Sequence, residues 1–245
     1  MTLPRIIHRI WLGSEPTNEM LLNIIESRQS IHGSVELWLW TNKCSRPKLS
    51  FNNIKLCNLD SLWLNLAAIY PQAHILHSAF ERESHGHFYN YASASDIARL
   101  AILYCYGGLY LDMDVSFLDG KNHFFNDAKF LGQRLGVMVT PHNKVGNGVL
   151  ASIPSGVAVR KCLDKIVQLY STGKSAEQSW EEKRRFGFMR IFYTILITGP
   201  NVIASTLLPA ELLLPITANY YFKHIDASGR SYTTVPIFGR SHSQP

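Results

Sequence analysis

Cysteine is scarce in this chain. Cys44, Cys57, Cys105 and Cys162 are its 4 cysteines in 245 residues, and no two form a C-x-x-C pair. That spacing suggests neither a zinc site nor a disulfide framework, so the thiols are expected to be buried and reduced. Long apolar runs are also missing. The longest, 192–215, is cut by Gly199, Pro200 and Pro209, which makes it too interrupted for a membrane span and better read as buried helices and loops. The N-terminal "MTLPRIIHRIWLG" has charges inside its apolar run and no small-residue cleavage site, so no signal peptide is read there. Residence in a reducing cytoplasm is the default expectation. Repeats and low-complexity linkers are lacking too, so a single domain over 1–245 is expected. Charge is sparse, at 17% of residues with a net of +6. The basic residues are scattered, and the one concentrated run, "EEKRR" at 181–185, carries its own acids. Anionic small ligands are favoured, whereas nucleic acid is not an expected partner.

What the chain has is apolar mass, 46% of its residues, which is enough for a substantial core. "RIIHRIWLG" reads as a first strand ending at Gly13. Asn18 to Ile31 follows with Leu21, Ile24, Ile25 and Arg28 at helical spacing, and "VELWLWT" at 35–41 is rich in strand formers. A short strand at Ile54 to Leu56 and a helix from Asp60 to Tyr70, closed by Pro71, continue the alternation. Strands alternating with helices predict an α/β domain with a mostly parallel, Rossmann-like sheet flanked by helices.

The segment "ASASDIARLAILYCYGG" predicts a helix with serines available as N-cap, Asp96 in the first turn and Gly107-Gly108 past the end. Ile97, Leu100, Ala101 and Tyr104 form its apolar stripe. Asp96 and Arg99 are neighbours on its surface, and by themselves fit an ordinary ion pair. Directly after the glycines comes "LYLDMDV". If Leu109 to Val115 is extended, Tyr110, Asp112 and Asp114 share one face. Two carboxylates so close repel one another, and burial adds to that penalty, so a cation is expected beside them. The bland alternative is an edge strand whose acids face water.

These blocks resemble the DXD-motif glycosyltransferases of the GT-A fold, in the group that joins Och1-like sugar transferases to glucosylating bacterial toxins. "IIHRIWLG" at 6–13 and "SDIARLAILYCYGGLYLDMDV" at 95–115 carry the resemblance, supported by "NGVLAS" at 147–152 and "TGP" at 198–200. It implies a retaining, metal-dependent hexosyltransferase that takes a nucleotide sugar, UDP-linked, to a protein or glycan acceptor. Trp11, with Leu12, would receive the nucleotide base. Asp96 and Arg99 would hold the ribose or the donor sugar and its phosphates, with Tyr110 lining the sugar pocket and Asn147 approaching donor or acceptor. Asp112 and Asp114 would bind Mn²⁺ or Mg²⁺, an oxygen-rich arrangement suited to a hard cation that bridges the diphosphate. The resemblance implies a C-terminal segment with His and Ser or Asn near a tryptophan, one of which completes the metal shell. Here "GRSHSQP" offers Ser241, His242 and Ser243 without the tryptophan, with His242 as the candidate third ligand and His224 as a second one. The toxin side of the resemblance implies an effector delivered into a host cell without a classical signal peptide, and the other side implies surface-polysaccharide synthesis.

Two further readings stand beside it. Haloacid-dehalogenase-like phosphatases also place Asp-x-Asp after an apolar strand, although usually near the start of the chain. A non-enzymatic sugar-binding module on the same fold is the other. No motif singles out a nucleophile among the downstream acids Glu211 and Asp226.

Overall fold

The computed structural model describes residues 2–18, 21–22, 24–25, 33–42, 54–85, 89–117, 124–127, 132–139, 145–171, 194–217, 222–225 and 231–232. Three parallel strands open the chain: β1 (Ile6–Trp11), β2 (Glu36–Thr41) and β3 (Ile54–Asn58). Between β1 and β2, positions 18, 21, 22, 24 and 25 are helical, and the rest of the expected Asn18–Ile31 helix lies outside the described residues. Helices α1 (Leu59–Ala67), α2 (Ala73–Ser84) and α3 (Tyr91–Tyr106) follow. Asn58 caps α1 by accepting from the Asp60 amide, which starts the helix one residue early, and the helix ends at Ala67, short of the Tyr70 expected from Pro71.

Strand β4 (Gly108–Leu111) pairs in parallel with β1, then β5 (Val115–Phe117) leaves for a second sheet. A short helix α4 (Phe124–Asp127), β6 (Leu135–Val139), β7 (Val145–Ser152), α5 (Val157–Ser171), α6 (Pro200–Thr206), β8 (Leu212–Thr217), β9 (Phe222–Ile225) and β10 (Ser231–Tyr232) complete the described chain. The apolar stretch at 192–215 thus supplies a strand as well as a helix. The main sheet runs β3-β2-β1-β4-β7-β6-β8. Only β7 opposes the others, because it is antiparallel to both β4 and β6 while β6 and β8 are parallel. The mostly parallel α/β reading is therefore correct. A smaller sheet, β10-β9-β5, branches from it.

Alternation along each strand divides the core in two. Trp40, Tyr110 and Leu150 face the layer of α1, α2, α3, α5 and α6, while Ile7, Leu39, Leu109 and Val149 face Leu21, Ile24, Phe117 and Phe124. Helix α3 lies deepest. Ser93, Asp96 and Arg99 are buried along with the predicted stripe, so the helix is enclosed on nearly all sides rather than amphipathic. Its N-cap is Asn90, whose side chain accepts from the Ser93 amide, not one of the serines, and this earlier start puts Asp96 in the second turn.

Its C-terminal glycines allow two close backbone approaches. Both have positive φ, at 62° and 94°, and a Cβ on Gly108 would stand 2.6 Å from the Ile6 carbonyl oxygen. His8 secures the same turn. Trp40 Nε1, a donor only, donates to His8 Nδ1 at 3.1 Å, so the ring proton sits on Nε2 and donates to Gly107 O at 2.8 Å. Burial lowers the His8 pKa to about 4, and the ring is a neutral brace at physiological pH.

Candidate active site

The strand expected to continue to Val115 stops at Leu111. The Asp112 amide still donates to Gly148 O of β7, but the Val115 amide then donates to Asp112 O at 3.0 Å, which closes a turn over residues 112–115. The shared-face argument for Asp112 and Asp114 is corrected accordingly: a turn, not a strand, carries them. They nevertheless converge, since both line one cavity of about 400 Å³. Ile10, Trp11 and Leu12 from the end of β1 form part of its wall, with Tyr91, Ala92 and Ser95 from the start of α3 and Tyr110 and Met113 completing it. The cavity therefore opens where strand ends meet a helix start, the customary place for ligands in such sheets.

The expected cation is present in part, as Arg99. Its Nη1 lies 3.3 Å from Asp112 Oδ1, and its guanidinium lies 4.6 Å from the Tyr110 ring centroid. The Tyr110 hydroxyl donates to the same Asp112 oxygen at 2.7 Å. Behind them Asp96 is sealed, with three donors: Arg99 Nη2 at 3.0 Å, Asn147 Nδ2 at 2.7 Å and Thr198 Oγ1 at 3.1 Å. Arg99 Nη1 also donates to Asn147 O at 2.6 Å. Burial pushes Asp96 up to about 6 against the pull of Arg99, which leaves it ionised at neutral pH. Around Arg99 the carboxylates outweigh desolvation and raise its pKa, so it is always charged.

Asp96 and Arg99 are thus 4% and 5% exposed, a buried pair rather than neighbours on an open helix surface. Asp96, Arg99 and Asn147 sit one layer behind the cavity, while Trp11, Leu12, Tyr110, Asp112 and Asp114 line it. His242, Ser241, Ser243 and Asp226 lie outside the described residues, as does "EEKRR", and of His224 only its backbone place in β9 is described. Glu211 pairs with Lys161 at 2.5 Å. Of the cysteines, Cys57 and Cys162 are buried, Cys105 is half-buried, and none of these three is bonded. Sequence reasoning missed Tyr91, Ser95 and Arg9, whose side chain donates to Asp112 O and Val115 O. An arginine in mid-strand, between residues that must be buried, was the available signal for the last.

A hard divalent cation suits the acids on this wall. Asp112 keeps about a third of its side chain exposed (34%), Asp114 is exposed, and both donate oxygen only. Among the described residues no cluster of three or more His, Cys, Asp or Glu stands ready by itself, so water, ligand oxygens or residues outside the described set complete any shell.

Residues 18–131 match the family described as glycosyltransferase sugar-binding region containing DXD motif, a stretch that holds Asp96, Arg99, Tyr110, Asp112 and Asp114. The fold matches that of solved glycosyltransferases. PaToxG glycosyltransferase superposes with a TM-score of 0.57 at 18% identity, covering 84% of this chain and 69% of that one. The UDP-bound glycosyltransferase domain of the YGT toxin gives 0.58 at 12% identity, covering 84% and 76%. The catalytic domain of alpha-toxin from Clostridium novyi gives 0.52 at 12% identity, covering 84% and 72%. The sheet is that of the GT-A glycosyltransferases, and the matched stretch, just under half of the chain, is similar to their DXD-containing sugar-binding region. Two of the solved domains named here belong to toxins, and no curated protein matches it in sequence. The phosphatase alternative is left without support.

Proposed function

We propose that residues 1–245 form one domain that transfers a sugar, with retention, from a UDP-sugar to a protein or glycan acceptor in a reaction that depends on Mn²⁺ or Mg²⁺. The observation that carries this is the cavity that joins Trp11, Tyr110, Asp112 and Asp114. Trp11 and Leu12 take the base, the indole offering its ring face and Leu12 an apolar floor. Asp112 and Asp114 hold the metal, which when bound offsets the charge that develops on the departing diphosphate. Tyr110 and Arg99 fix the rotamer of Asp112 through its Oδ1, so the acid meets the metal already oriented. Asp96 holds Arg99, and Asn147 and Thr198 hold Asp96. Attack by the acceptor on the same face as the leaving group requires no protein nucleophile, and none is assigned.

The likeness to toxin catalytic domains supports a bacterial effector that acts on a protein inside a host cell, over a transferase that builds surface polysaccharide. Among the described residues no helix is long and apolar enough to cross a membrane. Incubation with a panel of nucleotide sugars and Mn²⁺, with free sugar and nucleotide as readout, tests the donor class. Metal-dependent hydrolysis of a UDP-sugar is expected. Turnover of none of the nucleotide sugars by folded protein would sink the proposal.

A further inference from the structure

Arg9 is a cation on an interior strand, 2% exposed. It shares the face of Ile7 and Trp11, opposite the one on which Tyr110 meets α3. From there Nη1 donates to Asp112 O at 2.5 Å and Nη2 to Val115 O at 2.7 Å, the two carbonyls that bracket the acidic turn. On the other side of the sheet Tyr110 and Arg99 grip the Asp112 carboxylate. The turn is therefore clamped from both faces, by its backbone from one and by its side chain from the other.

Electrostatics alone gives no reason for a cation at this place if the acids serve a metal. A charge that acts on both Asp112 and Asp114 from inside the protein opposes a second cation on them. An apolar side chain of similar length would also avoid desolvating a guanidinium. What only arginine offers is a rigid planar fork that reaches two carbonyl oxygens at once.

We propose that Arg9 is a positioning residue for the Asp112 and Asp114 pair: it presets the 112–115 turn, so that a divalent cation carrying a nucleotide diphosphate finds both carboxylates in place. This rests on the metal-dependent reading above and adds a residue that acts only through the backbone of the turn.

The two effects of Arg9 have opposite signs, which makes the proposal testable. Arg9→Met removes the charge and the fork together. If charge dominated, Mn²⁺ affinity with UDP present would rise, and if positioning dominates it falls, by tenfold or more. Arg9→Lys keeps the charge, loses the fork and is expected to fall as well. Calorimetric titration of Mn²⁺ in the presence of UDP, on variants whose melting is cooperative, reads this directly. Amide hydrogen exchange on metal-free wild type gives a second reading that depends on no variant: the Val115 amide should already be protected. Unchanged or increased affinity in Arg9→Met overturns the proposal, as does a Val115 amide that is protected only after Mn²⁺ and UDP are added. A wild type that binds no Mn²⁺ with UDP refutes the metal-dependent reading itself, an outcome distinct from a wild type that binds and a variant that binds equally well.

Discussion

Arg99 and Asp112 face each other at 3.3 Å across the boundary between a sealed pocket and an open cavity. On the sealed side the same guanidinium pairs with Asp96, and on the open side Asp112 lines the cavity with Asp114. One cation thus serves two acids with different surroundings, and the two are expected to respond differently to mutation.

For Asp96 the response is structural first. Arg99→Ala leaves a buried carboxylate without its counter-ion, and removal of one partner of such a pair costs about 3–5 kcal/mol. Denaturant unfolding should show that loss, far above the few tenths expected of an exposed helix pair. Arg99→Lys keeps charge without the fork, so it should retain more stability yet turn over the donor poorly. A stability loss below 1 kcal/mol in Arg99→Ala would contradict the buried pair.

Protonation gives the second expectation. Because burial raises Asp96 to about 6 in the folded protein, the folded state holds its proton more tightly than the unfolded chain does. Stability from this group is fully present below its ordinary value of 3.8 and is lost as pH rises to about 6. The difference in unfolding free energy between wild type and Asp96→Asn should shift against wild type across that window. A difference that is flat from pH 3.5 to 6.5 would refute the raised pKa.

Trp11 is half-buried on the cavity wall, with its indole Nε1 donating to Ser14 Oγ at 3.2 Å. If it stacks on a base, Trp11→Ala should weaken UDP binding by about 1–3 kcal/mol, the scale of base–aromatic stacking. A circular-dichroism melt separates this from lost packing, and wild-type affinity in a well-folded variant would remove Trp11 from the site.

Addition of Mn²⁺ and UDP should raise the melting temperature. At a hundred times the dissociation constant a ligand contributes about 2.7 kcal/mol. Replacing Asp112 and Asp114 together by Asn should abolish the part of the rise that needs metal, and catalysis with it. Equal Mn²⁺ affinity in wild type and the double variant, by calorimetry with UDP present, would take the metal away from these residues.

Elements marked by short-range chemistry were legible in the sequence: β1, β2, α3 and the Gly-Gly stop each announce themselves by periodicity or by a terminator. Part of the cavity wall was legible as well, because Trp11, Leu12, Tyr110, Asp112 and Asp114 lie in two compact blocks. The break at Asp112 was not. "LYLDMDV" alternates well enough for a strand, and the turn shows only in three dimensions, where the Val115 amide bonds back to Asp112 O and Arg9 from another strand draws on the carbonyls of Asp112 and Val115. The burial of Asp96 was equally hidden, since its enclosing partners Asn147 and Thr198 are 51 and 102 residues away in sequence.

That separation bears on how the enzyme comes into being. Thr198 comes from the chain 102 residues after Asp96, and without it Asp96 lacks one of its three donors. During synthesis the chain therefore carries Asp112 and Asp114 before it carries Thr198. The Asp96 pocket is thus a property of the assembled chain, closed by a segment far from the motif in sequence.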